Sequence, residues 1–402
     1  MATDSTSASR GRARPSSSRC EDLFAGTYAR GQAPACVRGE AWLEAMLEVE
    51  STLARACAHE GMIAADSAQR IAVACDPSGF DLAEIARGAG DHASPVVPLV
   101  RALRERVGDE LAPQVHLGAT SQDILDTAMM LVASRAVEII VADARAARDA
   151  AAGLADRHRS TPMSGRTLLQ QALPVSFGLR AAGWLVGLEE AAARLSQVRE
   201  RELAVQMGGP VGDRSPAVAA HVAAALQLAE PAIPWHTTRV RLAALAGGLG
   251  AMAGAFAKIA RDITLLSQDE VGELREGTGA DRGGSSAMAH KRNPVAAVSV
   301  LACTRRVPGL VATLLGCMEQ ELERAAGAWQ AEWGTVADLL RLTGSAASWG
   351  RELLEHLDVD PARMRENLSR LAAAGVAEAS EPERHLGAAS ELIDRALAWR
   401  RS

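Results

Sequence analysis

The stretch ILDTAMMLVASRAVEIIVADARAARDAAA, Ile124 to Ala152, runs for 29 residues without a glycine or a proline. As a helix it would extend about 44 Å at 1.5 Å per residue, which is long for a globular protein. Glu138, Arg145 and Asp149 fall at spacings of seven and four, leaving Met129, Val132, Ala136, Ile139 and Ile140 for another face. One side of this rod therefore needs a partner helix. Leu188 to Gln206 and Ala255 to Val271 are likewise uninterrupted and rich in alanine, which lets helices approach closely. Aromatic residues make up only 3% of the 402 positions, so a β-rich architecture lacks its usual side chains. The expectation is an all-α chain built around a long helical bundle.

Composition excludes several function classes. Forty-three basic residues against 49 acidic ones leave a formal charge of −6, which provides no electrostatic footprint for nucleic acid. No charge-free apolar run reaches the roughly 18 residues that span a bilayer, and the start of the chain lacks a signal-peptide pattern. The sequence therefore predicts a soluble, cytoplasmic protein without a membrane partner. The six cysteines are scattered with no C-x-x-C pair, which argues for reduced, mostly buried thiols and no zinc site. Residues 1–20, rich in Ser, Ala and Arg, read as a disordered tail.

Three polar segments interrupt the helical pattern. G-G-S-S-A-M-A-H-K-R-N-P-V, Gly283 to Val295, sets two glycines and two hydroxyls beside the cations His290, Lys291 and Arg292 and ends on an Asn-Pro turn. Three adjacent cations cannot all be buried, so this is a loop. H-L-G-A-T-S-Q-D, from His116, places Thr120 or Ser121 at the start of the long helix, as a cap or as a carboxylate site at a helix N-terminus. S-G-R-T-L-L-Q-Q-A-L-P, Ser164 to Pro174, carries two adjacent glutamines in an apolar setting, a structural polar pair or a donor set.

The loop resembles the G-S-S-x-M-P-x-K-x-N-P signature of the fumarase/aspartase superfamily. In the same order along the chain stand G-A-T-S-Q-D from Gly118, G-R-T-x-x-Q from Gly165, P-W-H-T-x-R from Pro234 and E-V-G-E from Glu270. Such ordered agreement is far more specific than any single motif. Within the superfamily, G-R-T-L-L-Q-Q-A-L-P, R-R-V-P-G-L-V-A-T-L-L and W-Q-A-E-W are similar to the branch of bacterial carboxymuconate cycloisomerases.

The resemblance implies a subunit of three parts: an N-terminal helical domain at 21–105, a central long-helix bundle at 106–350 and a shortened C-terminal domain at 351–402. It also implies a homotetramer whose sites form where three subunits meet, a polycarboxylate substrate, and no metal or organic cofactor. By family position Ser285 transfers the proton, with Ser286 as its neighbour, and Lys291 and Asn293 stabilise an aci-carboxylate intermediate. Thr120 and Ser121 take one substrate carboxylate, while Thr167 and Gln170 serve another. Arg241 and Arg324 are further cation candidates, with surface ion pairs as the alternative. His116 is a ligand group or a structural histidine. Glu273 orients a cation or histidine across a subunit boundary, or is a helix-surface carboxylate. Trp329 and Trp333, four apart, read as packing.

Leu168 stands where relatives that split C–N bonds carry a histidine and the cycloisomerase branch a tryptophan, which predicts an enlarged pocket. Ala289 replaces the signature proline, and Q-M-G-G-P-V-G-D-R is short after Gly212. The implied reaction is lactonisation of 3-carboxymuconate in the β-ketoadipate route of aromatic catabolism. The alternatives are a β-eliminating lyase that releases fumarate from a substituted succinate, and a catalytically silent structural relative.

Overall fold

A computed structural model describes residues 23–277, 283–284, 287–288 and 291–399. The expectations for the tail at 1–20 and for Ser285, Ser286 and Ala289 lie outside the described residues. After one helical turn at Ala25–Tyr28, an N-terminal group of helices comprises α1 (Gly39–His59), α2 (Ala65–Ala74), α3 (Leu82–His92) and α4 (Val96–Val107). The long rod follows as α5, Ser121–Arg157. It begins at Thr120, which has extended backbone and whose N–H donates to Asp123 Oδ2 at 3.1 Å. A single Gly153 does not break it, and its 37 residues span about 55 Å.

Against α5 pack α6 (Phe177–Arg201) and α10 (Ala328–Glu355); α8 (Val240–Leu266) and α9 (Val295–Gly316) complete the bundle by packing on each other and on α10, α8 also on α6, whereas α7 (Pro216–Leu226) lies against α1. Smaller elements close the chain, α11 (Pro361–Ala373) and α12 (Ala389–Trp399) among them. The core is dominated by Ala, Leu, Val and Met, with Ala136, Ala144, Ala147 and Ala151 of α5 all fully buried. Alanine at these positions permits the close approach inferred from composition.

Three features were not expected. The G-R-T-L-L-Q-Q segment is an antiparallel hairpin of β1 (Pro162–Thr167) and β2 (Gln170–Ser176), joined by a two-residue turn. Leu168 and Leu169 both have positive φ there, 50° and 64°, in a position that favours Asn-Gly. A second short ladder pairs β3 (Leu274–Glu276) with β4 (Leu357–Val359). The helical run expected as far as Gln206 also stops short: α6 ends at Arg201, and residues 203–206 run extended beside Ala229.

Charge-free runs understate the apolarity of two bundle helices. Val240–Leu266 and Val295–Gly316 are each long and apolar enough to cross a membrane by length and composition, as core helices of a soluble bundle also are. Only 50% and 39% of their apolar windows are buried within the subunit, so both present apolar surface outward. The described cysteines form no disulfide, and burial pushes the thiols of Cys75 and Cys303 up to about 12.

Candidate active site

The direction of each helix divides the sequence-derived candidates between the two ends of the bundle. α5 runs away from Thr120 and delivers the chain to the hairpin, where Phe177 N–H donates to Thr161 O at 2.9 Å and α6 turns back. The first end holds His116, Thr120, Ser121 and Arg324. The second holds Thr167, Gln170, Glu273, Lys291 and Asn293. About 55 Å of helix separates the two groups in one subunit.

At the first end the organising group is Asp123, fully buried one turn into α5. Its carboxylate accepts from Gly208 N–H at 2.9 Å, Gly209 N–H at 2.8 Å and Gln206 Nε2 at 3.2 Å, in addition to Thr120 N–H. His236 Nε2 lies 2.7 Å from Asp123 Oδ1, with the ring also buried. The two glycines are obligatory for this cradle. A Cβ on Gly208 would stand 2.6 Å from Pro234 Cβ, and Gly209 has φ +73° with its missing Cβ 2.9 Å from Gly118 O. Arg324 locks the same loop from outside, donating to Gly209 O and Pro210 O at 2.8 Å each. Burial pulls its pKa down, while the charges of Asp123 and Asp126 push it back up. A cavity of about 290 Å³ opens beside His236, lined also by Val211, Ile233, Thr237, Leu322 and Glu323.

Behind this pair lies a buried ionic network. Arg239, fully buried, donates to Asp126 at 2.7 and 3.2 Å and to Glu332 through Nε at 3.0 Å and through Nη2. Trp329 Nε1 adds a bond to Asp126 at 2.8 Å, so that residue is more than packing, although it does meet Trp333 edge to face with centroids 4.8 Å apart. Gln122 bridges Asp126 and the carbonyl of His236 at 3.0 and 2.7 Å. The network thereby fixes the backbone that carries the His236 ring.

Burial pushes Glu332 up to about 7 from 4.5, against the pull of Arg239. A raised folded-state value means that its protonated form favours folding. That contribution is complete below about pH 4.5 and is lost as pH rises through about 7. Wild type should accordingly lose stability relative to Glu332→Gln between pH 5 and 8, by at most about 1.4 kcal/mol per pH unit. Urea midpoints measured across that range check it, and parallel profiles for the two proteins would remove the assignment.

At the second end, Glu273 is fully buried and takes Arg166 in a fork, Nη1 at 2.9 Å and Nη2 at 2.7 Å, with Asn367 Nδ2 at 2.8 Å. Glu273 is therefore buried and not on a helix surface, and within the chain its cation is Arg166. The pair anchors the hairpin, whose outer residues Thr167, Leu168, Leu169 and Gln170 are exposed. Leu168, 96% exposed, projects from the surface at the tip of this hairpin.

The signature loop starts from the same end. Asn293 donates through its backbone N–H and Nδ2 to Gly283 O, at 2.8 and 3.1 Å, where a Cβ on Gly283 would stand 2.6 Å from Asn293 O. Glu276 caps α9, accepting from Ala296 and Ala297 N–H at 3.0 and 2.9 Å. Lys291 is exposed.

For two candidates the structure supports the structural alternative. Arg241 forms the ion pair given as its alternative, with Glu202 at 3.5 Å, and donates to the carbonyls of Arg201 and Glu202 at 2.9 and 3.2 Å, capping the C-terminus of α6. His116, at φ 61°, places Nδ1 2.6 Å from the buried Glu50, which supports its structural reading. Sequence reasoning passed over Asp123, His236, Arg239 and Arg166, although T-S-Q-D, P-W-H-T-x-R and G-R-T contain all four.

A family profile described as Lyase matches residues 30–309. A 3-carboxy-cis,cis-muconate cycloisomerase of Bradyrhizobium diazoefficiens is 44% identical over 346 residues, covering 84% of this chain and 77% of that protein. The chain belongs to the fumarase/aspartase lyase superfamily. Another member, a nitrosuccinate lyase of Streptomyces davaonensis, is 43% identical over 354 residues, with 83% and 74% covered. The crystal structure of 3-carboxy-cis,cis-muconate lactonizing enzyme from Pseudomonas putida superimposes with TM-score 0.85 at 32% identity, covering 94% of this chain and 99% of that one. The superfamily fold, the all-α bundle and an enzymatic role follow from these matches.

Proposed function

We propose that this superfamily enzyme is a 3-carboxy-cis,cis-muconate cycloisomerase, forming 4-carboxymuconolactone. The observation that carries the reading is the 44% identity to a curated cycloisomerase across 84% of the chain, joined to retention of the serine, lysine and asparagine of the loop. In the lactonising direction a substrate carboxylate adds to the double bond, the developing carbanion spreads into the neighbouring carboxylate, and Ser285 delivers a proton to the α-carbon on the opposite face. Lys291 and Asn293 stabilise the resulting charge, each well-placed donor contributing about 3 to 4 kcal/mol. Thr120 and Ser121 hold a substrate carboxylate at the start of α5, and Thr167 and Gln170 reach it from the hairpin of another subunit. The outward apolar faces of α8 and α9 support a homotetramer, and the three-part division at 21–105, 106–350 and 351–402 goes with it. A small polycarboxylate substrate and a cytoplasmic setting complete the reading.

A second reading, a β-eliminating lyase, is favoured by the 43% identity to nitrosuccinate lyase. Ultraviolet absorbance separates the two. Purified protein should bleach the diene of 3-carboxy-cis,cis-muconate, and Ser285→Ala should slow that loss by several orders of magnitude with an unchanged thermal midpoint. Fumarate and nitrite appearing from nitrosuccinate, with the diene untouched, would transfer the assignment to the lyase. Inertness toward both substrates would leave a silent structural relative.

A further inference from the structure

Near the first end of the bundle, but outside the groups already described, a cluster of side chains has no part in the proposed chemistry. His59 is the last residue of α1, Glu60 follows it, and His221 projects from α7, which packs on α1. Glu60 Oε1 lies 3.3 Å from His59 Nδ1 and 3.0 Å from His221 Nε2, and the three atoms all fall within 4.8 Å of one another. The imidazole centroids are 3.8 Å apart and tilted by 47°. Ligands bonded at about 2.0 to 2.1 Å to a tetrahedral ion stand about 3.3 Å from each other, so two of the three edges already have the required length.

We propose that His59, Glu60 and His221 bind one divalent transition-metal ion of zinc-like, borderline softness. Two imidazoles and a carboxylate suit that class, whereas calcium and magnesium prefer all-oxygen sets. The side chains remain 65%, 30% and 37% exposed, which gives an ion open access and leaves a fourth position for water. The ion would clip α7 to the end of α1. α7 continues the loop whose Gly208 and Gly209 N–H groups hold Asp123, and α1 carries Glu50, the partner of His116. The site is a clip on the scaffold of the first half-site and supplies no reacting group.

Untagged full-length protein, stripped with chelator, should take up one Zn²⁺ per chain in a calorimetric titration, and Co²⁺ in its place should show the visible absorption of a tetrahedral centre. His59→Ala and His221→Ala should each weaken Zn²⁺ binding by about tenfold or more. Zinc should raise the thermal midpoint of wild type and not that of the double variant. Metal-free midpoints and cycloisomerase rates of the variants should match wild type, since the residues lie on the surface outside the proposed site. Undiminished binding by the double variant, or no binding by wild type at millimolar Zn²⁺, would overturn the proposal.

Discussion

Ser121→Ala and Lys291→Ala are each expected to lose two to three orders of magnitude in turnover, and the two inactive proteins to regain activity when co-assembled. The magnitude is that of removing one preorganised donor or cation from a developing oxyanion. The recovery follows from the length of α5. Ser121 begins this helix and Lys291 belongs to the far end of the bundle, about 55 Å away, so no single chain can present both to one substrate. A site that uses both must draw them from different subunits. With equal amounts of the two variants assorting at random, about a quarter of such junctions receive an intact copy of each half. Denaturing and refolding the mixture, then following diene absorbance, measures the recovery. A mixture as inactive as its components would show that one chain supplies both residues, or that one of them is not used.

The same geometry explains which parts of the molecule could be read from its sequence. The rod at Ile124 to Ala152 was legible because nothing in it opposes a helix. α8 was only half legible: Gly247, Gly248, Gly250 and Gly254 sit inside it, and tertiary packing outweighs their propensity cost of roughly 1 kcal/mol each. Pro308 likewise sits inside α9 without ending it. The hairpin was hidden because its turn carries Leu168 and Leu169 in place of Asn-Gly. Among site residues, the loop and the start of α5 announced themselves by local composition. Arg166 with Glu273, and Arg239 with Asp126 and Glu332, did not, since partners 107, 113 and 93 positions apart leave no local pattern. Arg239 and Arg241, two positions apart, look equivalent in sequence until the helix direction sends one inward and the other to the end of α6.

Arg239→Leu is the substitution expected to damage the fold most. Its guanidinium, completely buried, is the only described cation bonded to the carboxylates of Asp126 and Glu332, themselves fully buried. Removing one member of a buried ion pair costs about 3 to 5 kcal/mol, because the remaining charge is left without compensation. Here the loss reaches the site as well, since Arg239 and Gln122 both donate to the carbonyl of His236, whose ring rests on Asp123. Urea unfolding should report the lost stability, and diene turnover should fall with it. The electrostatic origin can be separated from simple loss of packing. Glu332→Gln introduced into Arg239→Leu removes one uncompensated charge, so the double variant should be more stable than the sum of the single effects predicts by about 1 kcal/mol or more, a value on the order of coupling energies between contacting residues. Additivity within about 0.5 kcal/mol would mean that Arg239 acts through shape alone. In that case the tendency of Glu332 to hold its proton already suffices to neutralise the core, and the pH profile of Glu332→Gln would carry the whole electrostatic effect.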